Sequence, residues 1–257
     1  MPKILSASQI EQFRRDGCIF PIRVMSEQAA LECRDKLEAF ERASGAPLRG
    51  ELRHKSHLLF AWIADLVRHE RILDAVEDLY GPNLLCWTTN FFIKEARNPA
   101  FVSWHQDSTY WGLDRTGSHL HDQIPHRDTF DKHNLLTRGQ QVMVEVDDKK
   151  QVLIRLQPGE MSLHHVRLVH GSPPNPSGDR RIGLAIRYIP TYVRQSAGAD
   201  SATLVRGVDE QHHFEHEPRP SGDLQPEFVA LHKRIAERNA AILYRGTGVK
   251  SFNERQA

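Results

Sequence analysis

The stretch Ser103-Trp104-His105-Gln106-Asp107-Ser108 holds an imidazole and a carboxylate two positions apart, and Val169-His170-Gly171-Ser172 brings a second imidazole far downstream. Successive side chains of a β-strand point to opposite faces, so His105 and Asp107 share one side with Gln106 turned away. Two neutral imidazoles and a carboxylate on one face make the facial triad that holds non-haem Fe(II) and leaves coordination positions open. The chemistry within reach is that of an iron oxygenase. The tripeptide alone is weak, because fifteen His and sixteen Asp in 257 residues predict about one His-x-Asp by chance, and the chain has two. The second, His126-Arg127-Asp128, lies in the polar run from Gln123 to Thr129, which lacks alternation and reads as loop. Around His105 stand Phe101, Val102, Trp104, Tyr110 and Trp111, an aromatic-rich strand environment able to exclude water from a metal.

The other half of the constellation reads as a hairpin. From Met161 to His170, strand alternation puts Ser162, His164, Val166, Leu168 and His170 on one face; from Arg181 to Ile189 it groups Arg181, Gly183, Ala185 and Arg187. Turn-forming residues fill the connection from Ser172 to Asp179, which predicts His170 and Arg181 on neighbouring antiparallel strands, both facing inward. An inward guanidinium needs an anion, and its fork suits either a dicarboxylate ligand or a protein acid.

The elements that position these residues follow a simple order. Ser8 with Glu11 makes a capping box for a helix over about residues 9 to 16, ended by Gly17. A short strand from Cys18 to Ile22 precedes a longer helix capped by Ser26 and ended by Gly45; Leu58 to Val67 and Ile72 to Tyr80 are again helical, closed by Gly81-Pro82. Strand periodicity then takes over: Leu84 to Glu95, Phe101 to Asp107, Gln141 to Val146, Gln151 to Leu156, Met161 to His170 and Arg181 to Ile189, with a hairpin-like turn at Asp147-Asp148-Lys149-Lys150. Pro226 to Tyr244 is a polar helix that packs outside. The order predicts one α+β domain over residues 1–257 with a mainly β core: a helical flank (1–82), a sandwich or jelly roll (83–195), and a C-terminal loop and helix (196–257).

Composition excludes several classes. With 26% charged residues and net charge +1, the chain has no strong field for nucleic acid or an anionic membrane. Cys18, Cys33 and Cys86 are widely spaced and lack a Cys-x-x-Cys pattern, which argues against a disulfide framework or thiolate zinc site and for a reducing cytoplasm. No apolar run approaches the roughly 18 residues of a membrane helix, and Met1 to Ile10 has no leader-like apolar core. The partner is therefore expected to be a small-molecule substrate. Gln211-His212-His213-Phe214-Glu215-His216 reads as a solvated loop, with a weak adventitious metal site as the alternative.

Taken together, His105-Gln106-Asp107, His170-Gly171-Ser172 and an Arg eleven residues after His170 resemble the phytanoyl-CoA dioxygenase family of Fe(II)/2-oxoglutarate oxygenases. The opening Gln12-Phe13-Arg14-Arg15-Asp16-Gly17, the Ile72 to Pro82 segment and Gly183-Leu184-Ala185-Ile186-Arg187-Tyr188 extend the resemblance over most of the chain. It implies a double-stranded β-helix (a jelly roll, cupin-like) flanked by N-terminal and C-terminal helices. It implies His105, Asp107 and His170 as iron ligands, Arg181 and Ser172 on the distal carboxylate of 2-oxoglutarate, and Lys55 near that cosubstrate. It further implies O2 as co-reactant, succinate as co-product and, since Asp107 is a carboxylate, hydroxylation rather than halogenation. The family's name does not imply a CoA thioester here. One departure stands out: after Asp114 the sequence runs straight into Gly117-Ser118-His119, where relatives carry two strands and a turn. The competing reading is a non-catalytic jelly-roll homologue that binds a metal or small acid. A zinc hydrolase on the same ligands lacks an evident general base.

Overall fold

The computed structural model describes residues 2–114 and 122–254. Its first helix, α1 (Ala7–Asp16), starts two residues earlier than the Ser8 box predicts. Ser6 Oγ accepts from the Gln9 N–H at 3.2 Å and Gln9 Oε1 accepts from the Ser6 N–H at 2.9 Å. The earlier start is fixed from outside, because Asp78 accepts the N–H groups of Lys3, Ile4 and Leu5 and pins the chain just ahead of the cap. Then come β1 (Cys18–Arg23), α2 (Glu27–Ser44), α3 (Ala61–Leu66) and α4 (Glu70–Tyr80). Ser26 caps α2 and Gly45 ends it at φ 68°, a left-handed turn that glycine adopts without a Cβ penalty.

The remaining elements are β2 (Leu84–Lys94), β3 (Val102–His105), β4 (Leu113–Asp114), β5 (His126–Asp128), β6 (Gln140–Val142), β7 (Glu160–His164), β8 (His170–Ser172), β9 (Arg181–Pro190), β10 (Arg194–Gln195), β11 (Ser201–Arg206), β12 (Glu215–His216) and α5 (Pro226–Leu243). The largest sheet runs β12-β11-β2-β9, with β2 and β9 antiparallel from Leu84↔Pro190 to Lys94↔Arg181. Phe91 of β2 is buried with Leu37 of α2 and Ile63 of α3, against which Ile182 and Leu184 of β9 also pack. Each fully buried side chain of this kind contributes about 1.5–3 kcal/mol. Apart from this sheet, β3 pairs with β8 in the register His105↔His170 and Val102↔Ser172. The architecture is thus α+β, with helices gathered at the N-terminus and α5 near the C-terminus. Among the described residues no helix is long and apolar enough to cross a membrane.

Several expectations are corrected. His170 and Arg181 do not lie on neighbouring strands: β8 pairs with β3, and β9 with β2. The proline-rich connection between them is an arch between sheets, held by the Asn175 side-chain amide, which donates to the carbonyls of Lys94, Glu95 and Asp179. The strand predicted from Met161 to His170 is broken between β7 and β8 by a turn in which Leu168 N–H reaches the His165 carbonyl. The strand predicted to Asp107 stops at His105, and Asp107–Tyr110 is a 3-10 turn. Of the two strands expected over 141–156, only β6 forms. Met143, Val144, Val152 and Leu153 stay exposed, since alternation without a facing layer buries nothing. His126-Arg127-Asp128, read as loop, is strand β5, paired with β6. The break read after Asp114 begins at residues that lie outside the described ones. Downstream of it, β5 and β6 form an antiparallel pair, and Ser103 of β3 is tied to Gln140 of β6 and to Asn134, so this flank of β3 is covered.

Candidate metal centre and cosubstrate cleft

The end of β3 and the start of the following 3-10 turn place His105 and Asp107 side by side. Gln106 keeps extended backbone (φ −109°, ψ 141°), so the alternation that puts its neighbours on one side survives the end of the strand. His170 arrives as the register partner of His105. Ligand atoms of His105, Asp107 and His170 all lie within 4.8 Å of one another. Both imidazoles are oriented by carbonyls behind them. His105 Nδ1 lies 2.9 Å from Ser103 O and 3.0 Å from His170 O, and His170 Nδ1 lies 2.9 Å from Leu168 O. An Nδ1–H donated to a carbonyl leaves Nε2 as the lone-pair donor, the arrangement a metal-binding histidine needs. Burial, then the neighbouring His105, pulls His170 down to about 3, which keeps it neutral. Burial pushes the Asp107 carboxyl upward, but the Arg187 guanidinium, then the adjoining His105 and His170 rings, outweigh it and hold Asp107 well below the usual carboxylate range. Two imidazoles with Nε2 forward and an ionised carboxylate fit a hard or borderline divalent metal such as Fe(II).

Beside this set lies a cationic cleft. Arg181 Nη1 donates to Ser172 Oγ at 2.7 Å, and Lys94 Nζ donates to the same oxygen at 2.7 Å and to the Ser172 and Pro173 carbonyls. Lys94 is buried at 1% exposure, whereas Arg181 sits at the solvent end rather than in the interior as expected. Among the described residues no carboxylate pairs with either cation. Burial, then Arg181, pulls the Lys94 ammonium down to about 8, the mark of a positive pair without its anion. A carboxylate of 2-oxoglutarate fits this gap. Lys94 was missed in the sequence, although it is the single charged residue of the eleven in β2.

Lys55 does not contribute as anticipated. Its ammonium is buried, and its three protons go to the Trp87 carbonyl, the Ser201 carbonyl and Glu217, whose other oxygen meets His57. The strained left-handed backbone of Lys55 (φ 46°) belongs to this internal network. Sequence reading could not find it, because Glu217 lies 162 residues away. Two further residues border the metal face. The His164 ring centroid stands 4.9 Å from that of His170, and Arg187 Nη2 stands 3.5 Å from Asp107 Oδ1 with its guanidinium over Trp111.

The cavity in front of Asp107 is lined by Asn90, Phe92, Tyr110, Trp111, Gln140 and Arg187, among others. Asn90 Oδ1, Tyr110 Oη, Gln140 Oε1 and Arg187 Nε are buried there without hydrogen-bond partners, at a cost of about 1–3 kcal/mol each unless a ligand answers them. Elsewhere, Asp209, His212 and His216 bring ligand atoms within 4.8 Å of one another. His216 Nε2 is 2.8 Å from Asp209 Oδ2, so this loop is more organised than its polar sequence suggests.

Residues 115–183 match the family model described as phytanoyl-CoA dioxygenase (PhyH). The chain is 30% identical over 175 residues to a probable alpha-ketoglutarate-dependent hypophosphite dioxygenase of Stutzerimonas stutzeri, covering 58% of this chain and 60% of that relative's length. Among solved structures it resembles the apo form of ThoJ, a non-heme monooxygenase, at 32% identity and TM-score 0.80 over 91% of this chain and 97% of that one. The ThoJ nickel complex aligns at 33% identity and TM-score 0.72, covering 88% and 95%. CytC3 with Fe(II) and alpha-ketoglutarate shares the fold at 23% identity and TM-score 0.59, covering 83% and 93%.

Proposed function

The chain belongs to the phytanoyl-CoA dioxygenase family, and from that premise we propose that it is an Fe(II)- and 2-oxoglutarate-dependent oxygenase that hydroxylates a small organic substrate. The observation that carries the reading is the convergence of His105, Asp107 and His170 beside a pair of cations, Lys94 and Arg181, that has no carboxylate partner among the described residues. The separate β3–β8 pair and the large sheet support a double-stranded β-helix as the frame. With Fe(II) held there, the chemistry supplied is oxidation by O2, in which 2-oxoglutarate and R–H become succinate, CO2 and R–OH.

The chain's own residues do the rest. The Ser103, His170 and Leu168 carbonyls lock the two imidazoles with Nε2 forward, so no reorganisation is needed on ligation. Arg187 keeps Asp107 ionised and, stacked on Trp111, closes that side of the cavity. Arg181 and the shared Ser172 hydroxyl hold the cosubstrate carboxylate with hydrogen bonds, and the buried Lys94 ammonium, whose protons stay on Ser172 and the Pro173 carbonyl, adds positive charge behind them. Asn90, Tyr110 and Gln140 offer unspent polar atoms that orient a polar substrate against the metal face.

Anaerobic addition of Fe(II) and 2-oxoglutarate tests this directly. A visible charge-transfer band of the chelate should appear, and succinate should form once O2 is admitted. Folded protein that gives neither would overturn the oxygenase reading in favour of a non-catalytic homologue.

A further inference from the structure

A second cavity, of about 300 Å³, adjoins the one in front of Asp107. The two share His54, Leu136, Thr137 and Phe252 as walls, and the His54 and Phe252 rings stack at 3.9 Å where the cavities meet. The outer cavity is cationic. Its acids, Glu41 and Glu95, are both taken by Arg180, at 2.6 and 2.8 Å. Arg49, Arg53 and Lys132 also line it, and among the described residues no carboxylate pairs with any of the three.

Arg53 is the informative member. It is 9% exposed, its Nε donates to the Phe91 carbonyl at 2.9 Å, and its guanidinium lies over the Phe92 ring. These contacts orient the side chain but use one N–H of five. The two terminal amino groups have no protein partner among the described residues. Burial pulls this guanidinium down to about 10, against an ordinary value of 12.5. An unpaired buried guanidinium is costly, and stability alone does not explain its retention beside a cavity.

We propose that the outer cavity binds the oxyanionic end of the substrate, a carboxylate or phosphonate taken bidentately by Arg53, so that the rest of the molecule extends past His54 towards Asp107. Arg49 and Lys132, exposed at the rim, draw the anion in. This deepens the oxygenase reading by naming its substrate class, an organic anion, and it rests on that reading for the step that follows binding.

Pentanoate and butylphosphonate serve as probes, with pentanamide as the neutral control, titrated calorimetrically into metal-free protein. At least one anion should bind about tenfold tighter than pentanamide, and the tighter one identifies the head group. In Arg53→Met that preference should vanish while 2-oxoglutarate binding persists. In Arg181→Ala, 2-oxoglutarate binding should fall while the probe still binds. Should Arg53→Met not fold, the rim variant Arg49→Gln/Lys132→Gln takes its place, with roughly threefold weaker binding and a shallower salt dependence expected. Equal affinity for anion and amide, or a preference unmoved by these variants, overturns the proposal. Because these titrations need no iron, they stand apart from the charge-transfer experiment: loss of the band alone sinks the oxygenase reading, and loss of the anion preference alone sinks this one.

Discussion

The chain contains the His-x-Asp pattern twice, and the two copies do different things. His105-Gln106-Asp107 stands where β3 meets β8, and the residue opposite His105 is His170. His126-Arg127-Asp128 forms β5 against β6, and the residue opposite His126 is Val142. In the first, Asp107 faces two imidazoles and Arg187; in the second, Asp128 turns to Arg138 at 3.4 Å near the surface. A His-x-Asp pair becomes a metal face only when a neighbouring strand supplies the third ligand. The second copy still serves the first, for His126 Nε2 accepts the Gln106 N–H at 2.9 Å while Nδ1 lies 2.7 Å from the Ile124 carbonyl. That fixes the tautomer and braces the peptide between the two candidate ligands.

Removing a ligand should show the largest difference between the copies. Asp107→Ala is expected to abolish both the chelate band and succinate formation, with the fold intact by circular dichroism. Next in size is the proposed cosubstrate cleft, which the first copy adjoins. Arg181→Ala should weaken 2-oxoglutarate about tenfold or more, roughly 1.4 kcal/mol, with Fe(II) affinity unchanged. Lys94 adds a pH signature. Its folded value near 8 lies below the ordinary 10.5, so between those limits the unfolded chain holds the proton more tightly. Stability of the ligand-free protein should therefore rise with pH across that window. Cosubstrate binding has the opposite sign, since an incoming carboxylate favours the ammonium: 2-oxoglutarate affinity should fall as pH rises above about 8. Lys94→Met should flatten both curves, and an unaltered pH profile would remove Lys94 from the cleft.

How much of this was readable beforehand depended on the range of the interaction. Local signals were legible: the Ser26 cap, the Gly17 and Gly45 stops, and the long β2 and β9, because capping and periodicity act within a few residues. The iron-ligand candidates were legible too, since a two-residue spacing and a distant His-Gly-Ser are sequence patterns. What failed was pairing. Nothing near His170 says that β8 crosses to β3 instead of turning back onto β9; that follows from a proline-rich arch tied down by Asn175. The resemblance points Lys55 at the cosubstrate, and nothing local in the sequence opposes that, because Glu217, its partner, is 162 residues away. His126 was dismissed because a three-residue strand is too short to show a period.

The smaller effects test that last dismissal. On sequence grounds alone, His126→Ala leaves iron binding intact. The structure revises this to a loss of about tenfold in Fe(II) affinity, the lower end for groups that orient a ligand shell, without loss of the fold. His126→Asn, which can still accept the Gln106 N–H, should recover part of it, and full affinity in His126→Ala would reduce the brace to coincidence. Asp128→Ala should do least of all. Its carboxylate is 30% exposed and its ion pair to Arg138 is long, so screening leaves well under about 1 kcal/mol to lose. A melting temperature and an iron affinity that both stay put in Asp128→Ala, beside the loss of iron affinity in Asp107→Ala, would show that the pattern's chemistry is conferred by the strand opposite it, since the His and Asp are the same in both copies.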